Sequence, residues 1–219
     1  MSAVSEVPPQ RRTRSPRGKG ELLRDEILAA AERILIETND ESALSIRAIA
    51  SAVGVTPPSI YLHFADRNEL VFAVCERQAE QLDRAMEAAA TGGADGWERI
   101  RRRGRAYLQW GLENPEHYRI LMMSRPDATP ERFVDERLAD TAGLAAVAAD
   151  LTAAAADGLI GPVPDPVKQT QLLWMVIHGM VSLFISKPDY PFGPVDEMYD
   201  SIIDLVYQGL APTVRPSGR

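Results

Sequence analysis

Between Ser45 and Ala65 the chain carries one charge, the Arg47 guanidinium, and no carboxylate, although a quarter of all residues are charged. The same stretch holds Ser45, Thr56, Ser59, Tyr61 and His63 as short hydrogen-bonding side chains. Hydroxyls, an imidazole and one cation, with acids excluded, suit a surface that must approach phosphates, which accept from N–H and O–H groups and repel carboxylates. Enzymatic chemistry has less to stand on. There are three histidines, and the paired Glu-x-x-His spacing of helical di-iron sites is absent. No Gly-x-Ser-x-Gly elbow, phosphate-binding glycine loop or His-Glu-x-x-His occurs. Cys75, the single cysteine, has Glu76 beside it, a neighbour that raises rather than lowers a thiol pKa. We therefore assign no catalytic residue, no metal ligand and no cofactor.

The elements that must position the acid-free stretch are legible. Ile46, Ile49, Ala50 and Val53 fall at i, i+3, i+4 and i+7, one apolar helical stripe. Ser45 stands before it as N-cap, and Gly54 just past it, where positive φ ends a helix cheaply. Thr56 is placed to cap a second helix with Pro57 at its first position, where a missing N–H costs nothing. Ile60 and Phe64 turn inward at i and i+4, leaving Pro58, Ser59, Tyr61, Leu62 and His63 less committed to a core. Two short helices about a glycine turn, the second with a polar outer face, make a helix-turn-helix. The plainer alternative is a helical hairpin used only for packing.

The run Ile49-Ala50, Val53-Gly54-Val55, Ser59-Ile60-Tyr61-Leu62-His63-Phe64, Arg67 and Leu70 resembles the DNA-binding signature of the TetR family of transcriptional regulators. The resemblance covers about residues 22–70. Carried over position by position, it implies that Arg47 and Pro58 reach base edges and that Leu62 makes an apolar contact. It also implies that Ser45, Ser59, Tyr61, His63 and Arg67 hold phosphates, with Thr56 and Pro57 at the start of the reading helix. Members often carry lysine or glycine where this chain has Arg67 or the Pro57-Pro58 pair.

The rest of the chain fits a helical protein. With 219 residues, 45% of them hydrophobic, a sizeable core is possible. One cysteine excludes an internal disulfide and fits a reducing cytoplasm, and the polar N-terminus has no secretory apolar core. Net charge is −7, but residues 1–24 hold six basic groups against Glu6 and Glu21. We expect a disordered basic arm over 1–20, which either follows DNA beside the helix-turn-helix or is a solvated tail. A helix-turn-helix domain is expected over 21–66 and a helical domain over 67–212, with a disordered tail over 213–219. The first helix runs from near Glu21 to Asn39-Asp40, with Leu23, Ile27, Ala31, Ile34 and Leu35 inside. Asp66 and Glu69 have capping-box spacing ahead of a connector helix over about 67–91. Proline and glycine punctuation then predicts helices over 97–112, 116–123, 130–156, 167–186 and 195–210, with no alternating strand pattern. The fold class is all-α: a three-helix DNA-binding domain plus a C-terminal ligand-binding and dimerisation domain.

From Leu172 to Ile185 the apolar run is 14 residues, shorter than the roughly 20 that span a bilayer, so we expect no membrane partner. Being apolar all round, this helix must be covered on every side. The final helix is one-sided, with Val195, Met198, Tyr199, Ile202, Leu205, Val206 and Leu210 inward. In the family these last two helices pair across a two-fold axis, which implies a homodimer. Tyr107, Trp110 and the Asn114–Arg119 segment, with Trp174 and His178, are similar to a C-terminal domain that senses small molecules. Trp97, Tyr107, Trp110, Tyr118, Met122, Trp174, Met175 and His178 are the candidate ligand-binding residues; as single residues they are more often core. Taken together, a dimeric regulator of double-stranded DNA is expected, most often a repressor in this family. It would bind a near-palindromic operator and be released by a small, mainly apolar effector of unknown identity. The alternative is a helical enzyme or carrier with a vestigial DNA-binding domain.

Overall fold

The computed structural model describes residues 19–38, 43–123 and 142–212. Residues 1–18 of the expected basic arm, the Asn39-Asp40 stop, the first part of the 130–156 helix and the C-terminal tail lie outside the described residues, and the arm's last two residues open the first helix. Among those described, the regular structure is helical throughout. By packing, the chain divides into two units, with the division inside the connector helix between Arg77 and Gln78. The first unit takes back the segment that begins at Arg119.

In the first unit α1 (Lys19–Thr38), α2 (Ile46–Val53) and α3 (Pro57–Tyr61) enclose a core with the start of α4 (Arg67–Ala90). α1 starts two residues before Glu21 and buries Ile27, Leu28, Ala30, Ala31 and Leu35, a wider stripe than the sequence spacing picks out. Ser45 caps α2 as expected, its Oγ accepting from the Ala48 N–H at 3.1 Å. Gly54 ends it at φ 75°, ψ 34°. Its N–H donates to Ser51 O and the Val55 N–H to Ala50 O, so two orphan carbonyls are satisfied and Val55 folds back onto the core.

Thr56 does not cap α3 with its side chain. A cap needs an N–H at the second or third helical position; Pro58 has none, and the Ser59 N–H donates to the Thr56 carbonyl at 2.8 Å. The Thr56 hydroxyl lies 3.1 Å from Ser59 Oγ instead. The Asp66–Glu69 capping is present, with the Glu69 N–H donating to Asp66 Oδ1 at 2.8 Å and the Ala65 N–H to Glu69 Oε2 at 2.5 Å.

The second unit holds the remainder of α4, then α5 (Gly96–Glu113), α6 (Pro115–Tyr118), α7 (Ala142–Ala156), α8 (Pro166–Ser186) and α9 (Val195–Leu210). Asp95 and Asp165 cap α5 and α8. The single helix expected over 116–123 is a short α6 followed by a π-helical turn over Arg119–Met123, whose Ile120 joins the core of the first unit. α5, α7 and α8 pack on one another.

α8 has 21 residues and is, by length and composition, long and apolar enough to cross a membrane, longer than its 14-residue apolar run suggested. One side is covered within the unit: Ile177, Met180, Val181 and Ile185 are buried. Leu172, Met175, Val176 and Leu183 are exposed. In α9 the buried pair is Tyr199 and Ile203, not the stripe centred on Ile202; Leu205, expected inward, is 68% exposed. The Tyr199 ring holds this helix, with its hydroxyl donating to Arg101 O at 2.5 Å and Arg105 over its face.

Candidate nucleic-acid interface and interior polar cluster

In the first unit the outward face is built from the turn upward. Ile60 and Phe64 are buried, so α3 is anchored on one side and its other side must face solvent. That side presents Thr56, Pro57, Pro58, Tyr61 and Leu62, all exposed, with Ser45 and Arg47 exposed at the start of α2. Leu62 is 83% exposed and Tyr61 55%, large apolar surfaces that a folded chain leaves out at a free-energy cost. Ser59 and His63 are half-buried. Arg67 differs from the rest: its Nε donates to the Leu44 carbonyl at 2.8 Å, tying the start of α4 to the residue before Ser45. It thus sets the spacing of the face it borders. Prolines at the first two positions of α3 remove the N–H groups that a helix start would offer to a phosphate. The Thr56 and Ser59 hydroxyls, bonded to each other at 3.1 Å, stand at that end.

In the second unit four of the eight candidate ligand residues meet. Trp174 Nε1–H donates to the Tyr107 hydroxyl at 3.1 Å. Tyr107 and Tyr118 hydroxyls are 3.1 Å apart, and Tyr118 Oη lies 2.6 Å from His178 Nδ1. Ser182 Oγ is 3.4 Å from the other ring nitrogen, Nε2. An indole N–H can only donate, so Tyr107 is the acceptor from Trp174. The directions of the Tyr107–Tyr118 and Tyr118–His178 bonds follow from which imidazole nitrogen carries the proton. Burial pushes both phenols up and the imidazole down, so all three are uncharged near neutral pH. The Tyr118 and His178 rings stack at 5.6 Å, and Tyr107 meets Tyr118 edge-on.

The other candidates lie elsewhere. Trp97 pairs with the Tyr207 ring at 5.0 Å. Met175 is exposed on α8, Trp110 is buried on α5, and Met122 belongs to the first unit. Sequence reasoning missed two members of the α8 row, Thr170 and Ser182, although the spacing 170, 174, 178, 182 is itself the signal. It also missed the ion pairs of α5. Arg103, 5% exposed, reaches Asp150 at 3.0 Å and Glu87 at 2.7 Å, and Arg99 reaches Asp150 at 2.6 Å. A groove lined by Ala89, Arg102, Arg105, Ala106 and Gln109 includes none of the candidates, and its arginines are paired with Glu98, Asp196 and Asp200.

Two family models match the chain. Residues 27–74 match a family described as "Bacterial regulatory proteins, tetR family", and residues 100–206 match "Tetracyclin repressor-like, C-terminal domain". An uncharacterized HTH-type transcriptional regulator of Mycobacterium tuberculosis is 34% identical over 103 residues. That stretch is 44% of each chain, so this chain spans under half the length of the curated relatives it matches. Among solved structures, a protein of unknown function from Rhodococcus sp. RHA1 has a TM-score of 0.72 at 28% identity, over 86% of this chain and 95% of its own. A TetR family transcription regulator from Marinobacter aquaeolei VT8 has a TM-score of 0.63 at 25% identity, over 90% of this chain and 100% of its own.

Proposed function

Because this chain belongs to the TetR family of transcriptional regulators, we propose that it works as a homodimeric, effector-released repressor on a near-palindromic operator in the cytoplasm. The observation that carries this reading is the acid-free outer face of α3, exposed over buried Ile60 and Phe64. Arg47 and Pro58 read base edges and Leu62 contacts a thymine methyl. Ser45, Ser59, Tyr61 and His63 hold phosphates, the Ser45 hydroxyl keeping its hydrogen because it acts as acceptor in its own cap. Arg67 acts through its bond to Leu44 and holds the face at the height phosphates require.

Dimerisation uses the exposed apolar side of α8 with that of α9, which brings two reading heads to one operator. A small, mainly apolar effector binds in the second unit and favours an arrangement of the heads that does not fit DNA. Reciprocity then requires DNA to weaken the effector by the same factor.

The test is selection of genomic fragments by the full-length protein, followed by mobility-shift titration across a salt series. Enrichment of a two-fold symmetric sequence is expected. Between about 50 and 200 mM salt the affinity should fall by orders of magnitude. No enriched sequence, or salt-independent binding, would overturn the reading.

A further inference from the structure

α8 carries a row of hydrogen-bonding side chains at four-residue spacing, Thr170, Trp174, His178 and Ser182, which past Gln171 runs through apolar neighbours. Residues so spaced lie one above the other, with Cβ atoms roughly 5–6 Å apart. Three of them take part in the chain of hydrogen bonds that runs through Tyr107 and Tyr118. Thr170 does not. It is 2% exposed, and its Oγ1 has no hydrogen-bond partner. A buried hydroxyl left unpaired costs about 1–3 kcal/mol, and native structures rarely keep such a group without a use.

Trp174, Tyr107, Tyr118 and His178 are already hydrogen-bonded to one another. Thr170 has both of its capacities unspent, one donor and one acceptor, one turn from the indole that starts the chain. No side chain of the row bears a formal charge, and an ionised ligand lodged among them would lose hydration without gaining a counter-ion. We propose that the effector is an uncharged aromatic molecule with a hydroxyl group, and that Thr170 is the residue that recognises that hydroxyl beside Trp174. This rests on the reading of the second unit as effector-binding. Thr170 gives and accepts one hydrogen bond, while the indole and phenol rings supply the apolar wall; selection is by complementarity of a single hydroxyl, not by charge.

The experiment uses full-length protein and three matched probes: 4-propylphenol, 4-propylbenzoate and propylbenzene. Binding is followed through the Trp174 indole Nε1–H resonance, assigned with Trp174→Phe, and by calorimetry. The phenol should bind at least about tenfold tighter than either partner, the value of one buried hydrogen bond. Thr170→Val should remove that preference, whereas Thr170→Ser, which keeps the hydroxyl but not the shape, should retain it. A residue needed only for packing would show the reverse order of these two variants. Tighter binding of the benzoate, an unaltered Thr170→Val, or saturation by none of the three overturns the proposal. Selection of operator fragments by the same preparation is scored separately. Loss of phenol binding with DNA binding intact removes this inference alone, and the converse removes the regulator reading alone.

Discussion

Arg103 Nε lies 3.0 Å from Asp150 Oδ2, and both side chains are more than nine-tenths buried. The pair joins α5 to α7, and Asp150 also accepts from Arg99 at 2.6 Å. Removing the carboxylate strands a buried guanidinium whose other ion-pair partner among the described residues, Glu87, is largely exposed. Asp150→Ala should therefore destabilise by about 3–5 kcal/mol. Replacing both members, Arg103→Met with Asp150→Leu, should be far milder, since the charges that then lose a partner, Arg99 and Glu87, both reach solvent. Urea unfolding of the two variants separates these outcomes; equal losses would show that packing rather than charge dominates the contact.

Two glycines should fail for different reasons. A Cβ at Gly96 would come within 2.4 Å of Asp150 O and 2.8 Å of Ala154 N, both backbone atoms of α7 that cannot swing aside. Gly96→Ala should force α5 and α7 apart, at about 1–3 kcal/mol. At Gly54 nothing lies within 4 Å of a built Cβ, yet φ is 75°. Gly54→Ala should cost about 1–2 kcal/mol from backbone strain alone, and Gly54→Asn, which tolerates that conformation, should cost less. Thermal midpoints of the three variants check the order.

His178 makes stability depend on pH. Burial lowers its pKa from 6.5, so below that value the unfolded chain binds a proton that the folded one resists. Its contribution is fully present above pH 6.5 and is lost as pH falls toward the lowered folded value. His178→Phe should flatten the thermal midpoint's fall between about pH 7.5 and 5.5, while Tyr118→Phe should alter the imidazole titration followed by NMR. An unchanged slope in His178→Phe would place the acid sensitivity in other groups.

For the dimer, an exposed position tests the interface more cleanly than Ile202, which is half-buried within the single chain. Met175 is 54% exposed on α8. Met175→Glu should leave the chain folded and place a charge at the proposed interface, where an unpaired ion costs several kcal/mol. Sedimentation should report monomers with unchanged helical content, and operator affinity should fall. A dimer of wild-type affinity would move the interface off this face.

On the proposed DNA-facing side, Tyr61→Phe should weaken binding by a similar factor for every sequence, as the proposed phosphate contact requires. Arg47→Ala should in addition relax preference at one or two base pairs, each worth about 1–3 kcal/mol. Selection on randomised operators distinguishes the two. A changed base preference in Tyr61→Phe would reverse these roles.

What the sequence by itself determined is the set of features governed by neighbours a few residues apart. Ser45 and Gly54 bound α2, Asp66 and Glu69 open α4, and Ile60 and Phe64 orient α3, because caps and apolar spacing act within one or two turns. The all-α class and the bounds of α9 follow from the same local rules. Only the tertiary structure decided which of Trp97, Tyr107, Tyr118, Trp174 and His178 meet, since that depends on how α5, α6 and α8 cross. The same holds for Arg67 donating to Leu44, 23 residues away, and for Ile203 being buried while Leu205 is not. Apolar periodicity marks a wide stripe, and the neighbouring helix selects its centre. Thr56 failed as a cap for a reason that was already local: Pro58 removes one N–H it needed, and the Thr56 carbonyl takes the other.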